Sequence, residues 1–261
     1  MNIIQKPSQN FENRYGFSPD IIVNHITAGT KVSSALNWFA NPAAQASSHF
    51  IVDVDGTIYQ CVPIDKAAWG NGTSVKAGDN RYYGLSTIEA VKSRRTNANF
   101  YTVSIEHVNV GGGALTALQL AATIELHKYI ISEVKRIYDV TIPIDRNHIV
   151  GHYQINPVTK PNCPGACFPF DKILAGLTAK PVATCDTTKD IELAHDGGSY
   201  QFKITSATAP KVNLGGSGVA IILPRYVDGN DHYYYIVGIG KVGEAVGLYV
   251  NDIKQFVAKI K

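Results

Sequence analysis

Three side chains in this sequence, His25, His152 and Cys163, are of the types that hold a transition metal while leaving room for chemistry. Two imidazoles and a thiolate are three soft donors, and a tetrahedral zinc ion bound by them keeps a fourth position for water. That open position separates a catalytic site from a structural one. His25 closes the run IIVNH and His152 closes HIVGH. Both runs are short and apolar, the mark of a buried strand whose last side chain emerges at the sheet edge. Cys163 follows His152 by eleven positions, across the loop YQINPVTKPN. Taken singly, each of these residues is more often an ordinary buried side chain, so their weight depends on the surroundings.

Those surroundings alternate strand-like and helix-like stretches. HFIVDVDGTIYQCV, residues 49–62, predicts two strands around the turn pair Asp55-Gly56. YTVSIEHVNV, residues 101–110, sets Val103, Ile105 and His107 against Ser104, Glu106 and Val108, so Ser104 and Glu106 share a face. The clearest helix spans 116–139. Thr116 with Gln119 is a capping-box signature, and Leu120, Ile124, Ile131, Val134 and Tyr138 recur at helical spacing. His127 falls on that stripe and reads as a core histidine rather than a ligand. The front of the chain is therefore expected to be α/β, a mixed central sheet flanked by helices. Over 176–190 the periodicity is lost and Gly, Pro, Thr and Lys collect, which predicts a linker, bounded at 178–186. Beyond it, SYQFKITS, VAIILPRYV, HYYYIVGIG, AVGLYV and KQFVAKI are short, aromatic and β-branched. They predict a small all-β domain, a sandwich or partial barrel, over 187–261, with the catalytic domain over 1–177.

Composition narrows the function. With 45% apolar residues in 261, the chain can bury two cores. The net charge of +3 falls within the first 180 residues; it suits an anionic polymer such as a cell wall, and equally serves solubility. No basic stripe for nucleic acid is present. No apolar run approaches ~20 residues, so membrane insertion is not expected. The N-terminus, MNIIQKPSQNFENRYGF, lacks a basic start followed by an apolar stretch, so no signal peptide is expected. Four irregularly spaced cysteines are too few for a disulfide framework. Cys167 reads as a buried or merely nearby thiol, and Gly111-Gly112-Gly113 lacks the GK[ST] of a phosphate loop.

Five segments then carry a family resemblance. VNHITAG around His25, SSHFIVDVDGTIYQ at 47–60, AAWGNG at 67–72, VSIEHVN at 103–109 and GHYQINPVTKPNCPG at 151–165 resemble, in order and spacing, the zinc-dependent N-acetylmuramoyl-L-alanine amidases. These are phage-lysozyme-like amidases related to the peptidoglycan recognition proteins. The resemblance covers roughly residues 20–175 and implies a peptidoglycan-recognition-protein-like fold. It implies one zinc ion on His25, His152 and Cys163, with Cys163 in the slot other members fill with Asp. Glu106 matches a general base, and Lys160 the lysine that steadies an anionic intermediate. Trp69 could stack on sugar or line a groove for the stem peptide, or it could be a half-buried core residue. Three departures are visible: Ser48 stands where many relatives have a tyrosine, Gly70 where they read AWH, and Lys160 lies three residues before the cysteine rather than two.

The implied reaction is hydrolysis of the amide between N-acetylmuramic acid and L-alanine in the peptidoglycan of a Gram-positive bacterium. Zinc lowers the pKa of its water to about 7 and polarises the carbonyl, Glu106 moves the proton to the leaving amine, and Lys160 stabilises the oxyanion. The β domain would hold wall carbohydrate, with Tyr226, Tyr233, Tyr234, Tyr235 and Tyr249 as candidate stacking rings. Without a signal peptide the expectation is a phage endolysin kept in the host cytoplasm until release. The alternatives are a host autolysin of the same chemistry, a non-catalytic peptidoglycan-binding protein, and a zinc amidase for another acylated amino acid.

Overall fold

A computed structural model describes residues 1–179 and 183–261. The chain divides into two compact units, Met1–Thr178 and Ala179–Lys261.

In the first unit the strands are β1 (Ile3–Gln5), β2 (Phe11–Asn13), β3 (Ile21–Ile26), β4 (Phe50–Val52), β5 (Ile58–Gln60), β6 (Lys66–Ala68), β7 (Thr102–His107) and β8 (Ile149–Gly151). The helices are α1 (Val32–Ala40), α2 (Glu89–Arg94), α3 (Ala117–Tyr138), α4 (His152–Ile155) and α5 (Phe170–Thr178). Six strands form one sheet in the order β1-β5-β4-β7-β3-β8. β4, β7, β3 and β8 run parallel, while β5 is antiparallel to β4. This is the mixed central sheet expected from the sequence. β4 and β5 form the hairpin around Asp55-Gly56, with Gly56 at φ +86 and its N–H on Asp53 O at 3.0 Å. The small pair β2-β6 lies apart from the main sheet.

Strand alternation gives the sheet two faces. Ile22, Val103 and Ile105 pack with Leu126, Ile130 and Val134 of α3. On the opposite face Ile21, Val23 and Val150 pack with Ile88, Val91 and Tyr101. Burying each such side chain is worth about 1.5–3 kcal/mol, so both faces hold the sheet rigid. The apolar stripe of α3 is rotated from the expected one. Its buried residues are Gln119, Thr123, Leu126, His127, Ile130 and Val134, while Leu120 and Ile124 turn toward Ile173, Leu174 and Leu177 of α5. The rotation accommodates a polar core layer. His127 donates from Nδ1 to Thr123 O at 2.8 Å, and His107 bonds Thr123 Oγ1 at 3.1 Å. Only half of the expected capping box forms. Thr116 Oγ1 accepts from Gln119 N at 3.0 Å, but the Gln119 amide donates to Val52 O and Val108 O, each at 3.1 Å.

The second unit is all-β, as expected. Its strands are β9 (Ala183–Cys185), β10 (Ile191–Leu193), β11 (Ser199–Ser206), β12 (Val212–Leu214), β13 (Ala220–Asp228), β14 (Asp231–Gly238), β15 (Ala245–Val250) and β16 (Ile253–Ile260). They form two four-stranded sheets, β10-β16-β15-β12 and β13-β14-β11-β9. Phe202, Ile204 and Ile236 of one sheet share a core with Leu248, Phe256 and Ile260 of the other, which makes a sandwich. One expectation is corrected. The linker was expected over 178–186, yet residues 183–185 are β9, paired antiparallel with β11; residues 180–182 lie outside the described residues. Ala183 and Cys185 there are half-buried strand residues that alternate with exposed Thr184, a pattern that a Gly/Pro-rich flank conceals in one dimension.

Candidate metal centre and cleft

Three adjacent parallel strands deliver the site at their carboxyl ends, where ligands sit in open α/β sheets. His25 is one residue from the end of β3 and is the register partner of Glu106 on β7. On the other side, Asn24 of β3 pairs with Gly151 of β8, and His152 follows at once as the first residue of α4. Side chains alternate across the sheet, so His25 and Glu106 project on the face opposite α3. Cys163 arrives on the loop after α4. Its carbonyl accepts from Tyr153 N at 2.8 Å and its N–H donates to Lys160 O at 3.2 Å.

The loop's course depends on two glycines. Gly165 at φ +106 and Gly112 at φ +77 meet backbone to backbone, and a Cβ on Gly165 would lie 2.4 Å from Gly112 Cα. Only glycine tolerates both the positive φ and the approach. The triple glycine before α3 is therefore a seat for the loop carrying Cys163.

The ligand atoms of His25, His152 and Cys163 all lie within 4.8 Å of one another, the only such group among the described residues. The two rings meet edge on, with centroids 4.3 Å apart. Burial holds His25 neutral, lowering its pKa to about 4, with Lys160 adding to the effect and Asn71 opposing it. Burial, then His25 and Lys160, lower His152 well below the usual imidazole range. Both rings thus offer lone pairs. Burial and then Glu106 push the Cys163 thiol up to about 12, against an Ile26 backbone bond and Lys160; a cation entering here must displace the thiol proton. This donor set and its spacing fit a tetrahedral zinc ion.

Glu106 Oε1 stands 4.0 Å from His25 Nδ1, and its Oε2 is buried without a hydrogen-bond partner. Burial raises the carboxyl to about 7, and Lys160 pulls it back down. A buried carboxylate oxygen without a partner costs folding stability, and this one opens on the same space as the three donors. Lys160 itself is exposed and lines the same cleft.

The cleft, of about 1550 Å³, contains His25, Glu106, His152, Lys160 and Cys163, and Trp69 lines it half-buried. It also contains Trp38 of α1, 55% exposed. The chain has two tryptophans and both face this space. Trp38 was not among the residues the sequence pointed to; an exposed tryptophan on a short helix has no periodic signal. Two departures from the family pattern gain a physical account. Ser48 is buried, its hydroxyl shared between Phe50 O at 3.0 Å and Ser104 O at 2.9 Å, so it does not reach the cleft. A Cβ on Gly70 would lie 2.9 Å from Ser47 O, so a histidine there would require the backbone to move. Cys167 is exposed and outside the ligand group.

Among solved structures, AmpD, determined as a selenomethionine derivative, is 22% identical with a TM-score of 0.50, the match covering 67% of this chain and 94% of that one; the likeness is one of fold. LysC, an N-acetylmuramoyl-L-alanine amidase from Clostridium intestinale URNW, is 21% identical over 69% of this chain and 99% of that one, with a TM-score of 0.42. The Staphylococcus aureus hydrolase AmiA, solved with its ligand, is 15% identical over 68% and 82%, with a TM-score of 0.45. Among curated proteins, none matches. Residues 15–166, more than half of the sequence and the stretch that builds the whole ligand group, match the N-acetylmuramoyl-L-alanine amidase family, and the chain belongs to that family.

Proposed function

We propose that residues 1–178 hydrolyse the amide between the lactyl group of N-acetylmuramic acid and L-alanine of the stem peptide, with one zinc ion held by His25, His152 and Cys163. The observation that carries this reading is the convergence of the three donors at the floor of the cleft beside a buried, unsatisfied carboxylate. Zinc in this position supplies a Lewis acid for the scissile carbonyl and acidifies water. Glu106, whose burial favours the protonated form, takes a proton from water at its carboxylate and returns it to the departing amine. Lys160 offers three donors to the anion that develops on the carbonyl oxygen. Trp69 and Trp38 supply apolar faces along the cleft for the glycan or the peptide.

The second unit, on this reading, engages wall carbohydrate of a Gram-positive cell. Its tyrosines divide by strand parity. Tyr234 points inward and stacks on Phe202, with centroids 5.5 Å apart. Tyr226 and Tyr233 stack on each other at 4.4 Å, and Arg225 covers Tyr235 at 4.7 Å. Tyr249 belongs to the other sheet. The outward trio supports sugar stacking, and tethering would raise the effective concentration of the cleft at the wall. Among the described residues no helix is long and apolar enough to cross a membrane.

Mass spectrometry of digested peptidoglycan tests the chemistry. Free L-alanine amino groups should accumulate, vanish on chelation and return with zinc. Glu106→Gln should lower turnover by roughly 10²–10⁴-fold while zinc is retained. A glycosidic cut, or activity indifferent to chelator, rejects the reading. For the second unit, the full chain carrying Tyr226→Ser and Tyr233→Ser should sediment less with purified walls; equal sedimentation rejects that surface.

A further inference from the structure

Asn71, in the segment AAWGNG, is 1% exposed and lies against His25. Its orientation follows from its neighbours. Thr102 Oγ1 donates its only proton to Ala98 O at 2.7 Å. The lone pairs of that hydroxyl therefore accept from Asn71 Nδ2 at 2.8 Å. With the amide nitrogen fixed on Thr102, the carbonyl Oδ1 must face the other way, and it stands 2.7 Å from His25 Nε2. A carbonyl oxygen has no proton to give, so the proton in this bond belongs to Nε2. A neutral imidazole has one N–H, which leaves Nδ1 bare.

The backbone reinforces the arrangement. Asn71 N donates to Asn99 Oδ1 at 2.8 Å, and Asn99 N donates to Asn97 Oδ1 at 3.1 Å. Asn156 Nδ2 donates to Gly72 O at 3.2 Å, tying the same segment to the turn that carries His152. On the far side of His25, its own carbonyl accepts from His107 Nδ1 at 2.9 Å. His25 is thus gripped at ring and backbone, and its free nitrogen is the one facing Glu106.

We propose that Asn71 is a positioning residue, its side-chain carbonyl holding His25 in the Nε2–H tautomer and presenting Nδ1 as the metal-binding nitrogen, with Thr102 fixing the amide that does so. This rests on the proposed metal site. The partner of a ligating histidine's second nitrogen sets ring orientation and basicity, and its loss costs 10–100-fold in metal affinity.

The test has two readouts on the full chain. Long-range proton–nitrogen NMR of the metal-free protein should show His25 Nε2 protonated and Nδ1 not. Zinc affinity, from competition with a chromophoric chelator, should fall 10–100-fold in Asn71→Leu, and fall in Thr102→Val, yet hold in Asn71→Asp, which keeps the acceptor. Urea unfolding of each metal-free variant separates lost affinity from lost stability. A proton on His25 Nδ1 in the wild type overturns the inference, as does unchanged zinc affinity in Asn71→Leu. If that variant fails to fold, unchanged affinity in Thr102→Val overturns it. A wild type that binds no zinc rejects the metal site instead, and the tautomer assignment is still judged by the NMR readout.

Discussion

Acid should destabilise the first unit through His49, a residue outside the ligand group. His49 is 1% exposed, just ahead of β4. Its Nδ1 accepts from Ser104 N at 3.0 Å, its Nε2 bonds Lys66 O at 3.0 Å, and the Arg14 guanidinium lies 3.0 Å from Nε2. A second proton on the ring would face the Ser104 N–H and add a cation beside Arg14. Burial first, then Arg14, therefore lower the pKa from 6.5 to about 3, against the Lys66 bond. The sign follows directly. Below pH 6.5 the unfolded chain binds a proton at this position and the folded chain does not, so stability is fully present above 6.5 and falls as pH drops toward 3. Each unit is worth about 1.4 kcal/mol. The loss is about 2 kcal/mol between pH 7.5 and 5.0, and ~4–5 kcal/mol by pH 3. Urea unfolding at pH 7.5 and 5.0 should show a stability difference that is smaller by about 2 kcal/mol in His49→Asn. The other buried histidines lie in both proteins and cancel. Equal pH slopes in the two would refute the assignment of the missing proton to His49.

Other consequences are equally direct. Gly112→Ala places a methyl 2.7 Å from Gly165 Cα at φ +77, which should destabilise by about 2–4 kcal/mol from overpacking and the left-handed backbone and loosen metal retention through the Cys163 loop; an unchanged urea midpoint contradicts the backbone contact. Arg14 donates to Ile64 O, Phe100 O and Thr102 O at 2.8, 2.9 and 3.1 Å, so Arg14→Lys, lacking the planar fork, should cost about 3 kcal/mol in urea unfolding; a loss below ~1 kcal/mol would show that the carbonyls find other donors. Because both tryptophans line the cleft, intrinsic fluorescence should change on titration with a muropeptide, and Trp38→Ala should weaken binding while leaving the unfolding midpoint in place. A silent titration argues against ligand in this cleft.

Much of the site was legible in one dimension because strands and motifs are local. IIVNH and HIVGH each end in a histidine, and the period-2 pattern of 101–110 set Glu106 on a definite face. The turn at Asp55-Gly56 and the Thr116 cap rest on bonds between near neighbours in sequence, so they too could be read directly. The change of pattern after residue 176 told of a second, all-β unit, since alternation and aromatic content are properties of a segment.

What the sequence could not decide involves partners far apart along the chain. Parallel pairing of β7, β3 and β8 brings Glu106, His25 and His152 side by side, and strand order is a matter of the whole core. The rotation of the α3 stripe follows from a buried polar layer that no helical period records, since Gln119, Thr123 and His127 satisfy one another and the sheet. Gly112 and Gly165 have meaning only as a pair. Asn71 looks in sequence like any turn asparagine, and it becomes the keeper of His25 because folding removes water, so its buried amide pairs with the protein groups around it, Thr102 on one side and His25 on the other. Residue types and local spacing determined which groups could do chemistry here. The tertiary structure decided which nitrogen, which oxygen and which wall of the cleft would face it, because those choices are made by contacts between distant segments.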